Sequence, residues 1–474
     1  AVPSNLSGKE NLTASGRVAG RDYNTAATPA KQAKLDLTSA VQKVSEGELK
    51  KIIIAGYIVE KMLPLRMVES PSFMRILNKI PVCGKKEALP DRKTFSSYLD
   101  KCYTDMEIEL KKTFKSFFYI SITADIWTSH NRSFLGMTAH WIDSSTSVRG
   151  HTALACKRVR GRHTYDVIAN EIEQVHSAYG LNYEVTATVT DNGSNFIKAF
   201  KMFEQSDSDE QSEEDEEVTF TDVEQALSTD SDGQFSLPPH LSCASHTLNL
   251  IFVEKWLKAN KSKVIYRNAV SKCSALLTKA NCSSVASELV EIFFSIKLIV
   301  LDREYLFLKE YCIVLKPLTV ALDILQGEDN CYLGTLLPTL EILMSRTLAL
   351  QDELRMTASL PDVIVQVGFA SMMDNKEALL AEDTLPKFKL RWIREEEKKD
   401  TVRAMLTSVL GRFPRIKVIS LRYNTATPSS APVERLFSQG NLVLTPRRNR
   451  LLDKRFERLT LMRYSLLFKD SAVS

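Results

Sequence analysis

The chain is poor in the features that staple small secreted domains or hold structural zinc. Its eight cysteines stand at 83, 102, 156, 243, 273, 282, 312 and 331, and no two have Cys-x-x-Cys spacing. That excludes a zinc ribbon and a thioredoxin-like motif; thiols scattered this way read as reduced and mostly buried. Long apolar runs are missing too. No stretch approaches about 18 uninterrupted apolar residues, so no membrane-spanning helix is expected. The N-terminus, Ala1-Val2-Pro3-Ser4, has neither the basic-then-apolar order of a secretory signal nor an initiator methionine, and we expect a fragment or a processed product. Tyr23 is the only aromatic in residues 1–40, whose Ser, Thr, Ala, Gly and Lys offer little to a packed element.

What is present is ordinary globular material. At 474 residues the chain exceeds the size at which one core usually keeps growing, so two or three domains are expected. The net charge of +4 conceals an asymmetry, because residues 204–217 hold nine acids and no Lys or Arg. The remainder is distinctly basic and suits a polyanionic partner.

Hydrophobic spacing divides the chain. Ile52, Ile53, Ile54, Ile58 and Met62 have helical spacing, and Tyr98–Phe117 reads as amphipathic helix. Residues 118–123, 134–142 and 151–159 read as three strands, followed by a helix over 164–179, a strand over 185–190 and a helix from Ser194. This β-β-β-α-β-α order fits a mixed sheet with an antiparallel start and a crossover helix. Residues 204–239 form an acidic loop whose simplest reading is solvated disorder. Helical patterning dominates 247–400, for example Tyr305 to Leu322, and closing helices follow over Val402–Leu410 and beyond Val433. The expected organisation is a disordered tail (1–44), an N-terminal helical domain (45–115), a core (116–250), a helical insertion (251–400) and an end of the core (401–474).

Three acidic motifs carry most of the chemistry. They are Ala124-Asp125-Ile126-Trp127-Thr128-Ser129, Val189-Thr190-Asp191-Asn192-Gly193-Ser194-Asn195 and Ser430-Ala431-Pro432-Val433-Glu434-Arg435-Leu436-Phe437-Ser438. Asp125 and Asp191 each follow a strand-like stretch, and Glu434 opens a helix-like one. Two strand-end aspartates and a distant helical acid suit two divalent cations and phosphodiester chemistry. Each acid also has a plainer reading. Asp125 would serve as a turn carboxylate or N-cap, Asp191 sits in good turn and N-cap chemistry, and Glu434 complements a helix dipole just after Pro432. Cys243 and His246 have a zinc-like spacing, but only two ligands are evident where a structural site needs four, so a buried thiol and a hydrogen-bonded histidine are expected and zinc is not. Arg447, Arg448 and Arg450, followed by Lys454, Arg455 and Arg458, form a basic cluster that suits phosphate contact, nuclear localisation or a solvated helix face. Leu451, Leu452, Phe456, Leu459, Met462 and Leu466 give an apolar packing face for a dimer or for the core.

The wording around these acids resembles the hAT superfamily of DNA transposases. So do Leu63-Pro64-Leu65-Arg66-Met67-Val68-Glu69-Ser70-Pro71-Ser72-Phe73, Cys243-Ala244-Ser245-His246-Thr247-Leu248-Asn249-Leu250, Pro386-Lys387-Phe388-Lys389-Leu390-Arg391-Trp392 and the segment from Ser429 to Leu467, all in the family's order. The resemblance implies an α/β fold: an RNase H-like mixed sheet interrupted by an all-α insertion, with an N-terminal helical domain and a C-terminal helical dimerisation segment. It implies Asp125, Asp191 and Glu434 as catalytic and metal-binding residues for Mg²⁺ or Mn²⁺. DNA contacts would come from His246, Arg447, Arg448 and Arg450. The implied partners are DNA and a second copy of the chain, as a homodimer or higher oligomer in the nucleus, with no membrane and no small-molecule substrate. The implied activity is DNA cleavage and strand transfer; the alternative is a transposon-derived nuclear protein that binds DNA and dimerises without catalysis. Two departures bear on that choice. Residues 1–44 lack the cysteines and histidines of a BED-type zinc finger, and Ser271–Ser284 has no Trp where many relatives carry an Arg-Trp motif that stacks on a flipped base.

Overall fold

A computed structural model describes residues 45–80, 92–182, 184–204, 235–251, 263–282, 301–327, 331–359, 361–362, 365, 369–385, 387–388, 393, 395–412, 415–445 and 451–469. It is a mixed α/β protein built on a five-stranded sheet of order β3-β2-β1-β4-β5. The strands are β1 (Ile120–Ser129), β2 (Arg132–Ile142), β3 (Arg149–Val159), β4 (Val185–Thr190) and β5 (His240–Ser242). The first three pair antiparallel, while β4 runs parallel to β1 and β5 parallel to β4. His130 and Asn131, with φ of 48° and 59°, make the two-residue turn between β1 and β2. Positive φ at both central positions is the hairpin geometry that follows the natural strand twist, and a short polar Asn tolerates it.

Among the described residues, the α-helices of six residues or more are α1 (Glu46–Lys51), α2 (Pro71–Leu77), α3 (Arg92–Phe114), α4 (Tyr165–Tyr179), α5 (Ser194–Met202), α6 (Ala244–Leu250), α7 (Lys263–Cys282), α8 (Asp302–Leu325), α9 (Leu336–Leu348), α10 (Lys376–Asp383), α11 (Glu396–Arg412), α12 (Ile416–Asn424), α13 (Ala431–Val443) and α14 (Asp453–Lys469). The crossover α4 returns the chain from β3 to β4, as expected. It ends at Gly180, whose φ of 72° is the left-handed conformation that only glycine adopts cheaply.

Alternation along β1 assigns the two faces of the sheet. Ile120, Ile122 and Ala124 point to one side and share a core with Leu135, Met137, Ile168 and Ile172, under α4 and α5. The other side carries Phe134 and Cys156, packed with Val433 and Phe437 of α13 and with Phe456 and Leu461 of α14. Leu49, Ile53, Phe95 and Leu99 belong to that same core, so the N-terminal helices do not form a core of their own.

A third core joins the β4–β5 edge to the helical body, linking Val189 and Leu241 with Phe307, Val314, Leu337 and Leu340. By length and mean hydropathy alone Leu333–Glu353 would be long and apolar enough to cross a membrane. Half of that stretch is buried within the protein, the behaviour of a core helix. The tail 1–44 and residues 205–234, which contain nearly all of the acidic loop, lie outside the described residues.

Candidate active site

Asp125 does not follow β1 as the sequence suggested; it lies within it. The strand continues to Ser129 because Ile126, Trp127 and Thr128 keep pairing with Leu135, Phe134 and Ser133 of β2. What stops beside Asp125 is the parallel pairing with β4, whose last register pair is Ala124 with Thr190. Asp191, the next residue on β4's side, follows its strand as expected, so the two aspartates stand side by side where the sheet opens. Asp191 Oδ1 accepts from the Gly193 N–H at 3.1 Å, so its turn chemistry is present as well.

Glu434 reaches this edge because α13 lies directly on the sheet. Gly136 is the register partner of Asp125, and partners across an antiparallel pair share a face. A Cβ on Gly136 would sit 2.7 Å from Val433 Cγ2 and 2.6 Å from Phe437 Cζ. The missing side chain therefore lets the helix touch the backbone next to Asp125. Trp127, two residues on and on the same face, stacks on Phe437 with ring centroids 5.6 Å apart. The segment before α13 is fixed too: Ala244 N–H donates to Pro428 O at 2.9 Å, and Ser430 N–H donates to Cys243 Sγ at 3.3 Å.

Electrostatics link the three acids. The Asp125 carboxyl is pushed up to about 7, first by burial, then by the charge of Asp191 and, more weakly, by that of Glu434. A hydrogen bond from Ile126 N–H to Asp125 Oδ1 (2.6 Å) opposes the shift. Carboxylate oxygens are the hard donors that magnesium or manganese takes, so the residue types suit such an ion. Two of these carboxylates are nonetheless turned onto their own backbone, and among the described residues no group of three or more His, Cys, Asp or Glu is gathered to hold a metal.

The Cys-x-x-His element borders this edge. Cys243 is buried and caps α6, accepting from His246 N–H, while His246 itself is half-buried on that helix. His240 on β5 was not singled out by the sequence. Its Nε2 lies 2.8 Å from Thr190 Oγ1, beside Asp191, and burial lowers its pKa to about 4 against a smaller opposing effect of Asp191. Gly136 was also missed, although an isolated glycine inside a strand pattern signals close backbone approach. Arg447, Arg448 and Arg450 lie outside the described residues. Their neighbours Arg455 and Arg458 are engaged within the chain, both pairing with Asp100 of α3, Arg455 at 3.1 Å.

The face of α14 expected to meet a second copy is filled from within. Phe456, 1% exposed, packs on Phe134 with centroids 4.6 Å apart, and Leu459 and Met462 are buried in the same core. Among the described residues of that face, Leu452 stands open, at 77% exposure.

Residues 123–216 match the ZBED1 RNase-like domain. The match covers Asp125 and Asp191 and points to a ZBED/hAT-derived, transposon-derived origin for that part of the chain. A search of curated proteins gives no match.

Proposed function

We propose that the chain carries an RNase H-like, transposase-type active site for metal-dependent cleavage and strand transfer on DNA, with Asp125, Asp191 and Glu434 as its carboxylates. The observation that supports this most is the raised carboxyl of Asp125, which feels both Asp191 and Glu434 although the three acids come from distant parts of the sequence. Asp125 and Asp191, on adjacent strands, would be the fixed ligands. Glu434 is exposed on α13 and free to complete the set. Neutral His240 holds Thr190 and so steadies the backbone that presents Asp191. Magnesium or manganese bound there would lower the pKa of an attacking water or 3′-hydroxyl and shield the leaving oxygen. DNA as partner, a nuclear location and self-association belong to the same proposal.

A second reading is a transposon-derived protein that keeps this fold and binds DNA without cutting it. The inward-turned carboxylates of Asp125 and Asp191 favour it. Nicking of supercoiled plasmid by the full chain, with Mg²⁺ and with Mn²⁺, separates the two. Nicking by wild type that Asp191→Asn abolishes supports the first reading; DNA binding with no nicking in either metal supports the second.

A further inference from the structure

The end of the sheet that carries the acids also carries arginines that the proposed chemistry does not use. Arg132 opens β2 opposite Ser129, Arg158 lies on β3 opposite Phe134, and Arg160 immediately follows β3. Register partners share a face and side chains alternate along a strand. Arg132 and Arg158 therefore project from the same face as Trp127 and Asp125. All three guanidinium groups converge on one carboxylate, Asp453 at the start of α14: Arg160 Nη2 at 3.0 Å, Arg158 Nη1 at 3.3 Å and Arg132 Nη1 at 3.8 Å. Arg132 Nη1 also donates to Leu451 O at 3.4 Å.

One arginine would suffice to anchor the N-terminus of α14. Three leave an excess of positive charge around a single acid. The excess faces water, since the Arg160 side chain is 78% exposed. The Arg158 side chain is less open, at 27% exposure, with its Nε buried and its Nη1 on Asp453. Strand rise and spacing put the Cα atoms of Arg158 and Arg160 roughly 12 and 16 Å from that of Asp125. Each strand of a duplex carries a charge about every 3.4 Å along the axis, so the cluster lies some four nucleotides from the acids.

We propose that Arg132, Arg158 and Arg160 form a track for the phosphate backbone of DNA leading away from the Asp125–Asp191–Glu434 edge, with Asp453 as their internal counter-ion. The assignment rests on the DNA reading of that edge. It is tested by fluorescence anisotropy of a labelled duplex with the full chain, as a function of salt. The variants are Arg160→Ala, Arg158→Ala, Asp453→Asn and, as a charge-matched control on the exposed surface of α8, Lys309→Ala.

Arg160→Ala should weaken binding about threefold or more at low salt and flatten the salt slope by about one unit, the signature of one lost phosphate contact. Asp453→Asn should tighten binding, because it frees positive charge for phosphate. Lys309→Ala should leave both unchanged. Arg160→Ala carries the test if Arg158→Ala lowers the melting temperature, because its side chain is mostly in solvent. If Arg160→Ala matches the control and Asp453→Asn binds no better than wild type, the cluster only anchors α14 and the track is overturned. If wild type binds no duplex, the DNA reading of the acidic edge fails with it.

Discussion

Asp125 ionises with difficulty because burial, then Asp191 and then Glu434 all disfavour its charge, which brings its carboxyl to about 7. A folded pKa above the unfolded value near 3.8 stabilises the fold fully below that value, and the contribution is lost as pH rises through 7. Each unit is worth 1.36 kcal/mol, so the whole effect is on the order of 4 kcal/mol before screening. Asp125→Asn removes it. In EDTA the variant should therefore gain stability over wild type, by on the order of 2 kcal/mol more at pH 8.5 than at pH 5. Thermal melts at the two pH values measure this, and an equal difference at both would mean that Asp125 is not crowded by charge. Magnesium should raise the wild-type melting temperature at pH 8.5 and leave Asp125→Asn nearly unmoved. Gly136 sets the neighbouring geometry. Gly136→Ala places a methyl against Val433 and Phe437 and forces α13 away from the sheet. Overpacking of this kind costs about 1–3 kcal/mol. Any metal-dependent stabilisation should fall with it, and the fluorescence of Trp127, stacked on Phe437, should report the displaced helix. Unchanged emission and unchanged metal response would show that the approach of α13 does not position Glu434.

Elements were legible in the sequence where the pattern was local. Val185–Thr190 and the helix start at Ser194 agree with the structure residue for residue, because alternation ends at an Asp-Asn-Gly turn. The end of β1 was not legible. Ala124-Asp125 looks like a strand terminus, but β1 continues because its partner β2 is long and the pairing is non-local. β5 escaped because three residues, His240–Ser242, are too few to show a period, and their pairing with β4 comes from tertiary contact. The acids themselves were legible from their motifs, whereas the packing that unites them depends on Gly136, Trp127 and Phe437, which lack charge to advertise a role. In the apolar stripe read for α14, Phe456, Leu459 and Met462 are buried and Leu452 is exposed, yet a stripe does not say what covers it. Here Phe134, Leu461 and the N-terminal helices surround Phe456. Phe456→Asp should consequently unfold the protein, losing about 3–5 kcal/mol of packing with a buried charge in addition. Circular dichroism and size-exclusion chromatography check this. A well-folded monomer would instead mean that the stripe serves an interface between copies.

At the scale of the whole molecule, the described residues form three apolar cores, and one of them joins the sheet to the helical body. The sheet edge and the helical body share buried Val189, Leu241, Phe307 and Leu337. Between them runs the segment that leads to Glu434, and Asn424 is its fastening. Buried to 1% exposure, Asn424 accepts from Gly334 N–H at 3.1 Å and donates to Ala381 O at 2.8 Å, so it holds the ends of two helical elements. Arg149, at the start of β3, donates to the carbonyls of Asn424 at 2.6 Å and Thr425 at 2.7 Å and stacks on Tyr332. Burial lowers the Arg149 pKa only to about 10, so it remains charged at neutral pH and the clamp stays closed. Ser121 of β1 donates to Thr425 O as well, at 2.8 Å. Sheet, helical body and connection should therefore unfold together, and wild type should show one denaturant transition by both tryptophan fluorescence and far-UV circular dichroism. Asn424→Ala leaves the buried Gly334 N–H without its partner, at a cost of about 1–3 kcal/mol, and takes from Ala381 O one of its two side-chain donors, the other being Thr384 Oγ1 at 3.0 Å. Because that cost falls on the fastening, the variant should unfold in two steps, the helical body before the sheet, with the two probes no longer coincident. A single coincident transition in Asn424→Ala, shifted only to lower denaturant, would show that the shared apolar core alone couples the two parts.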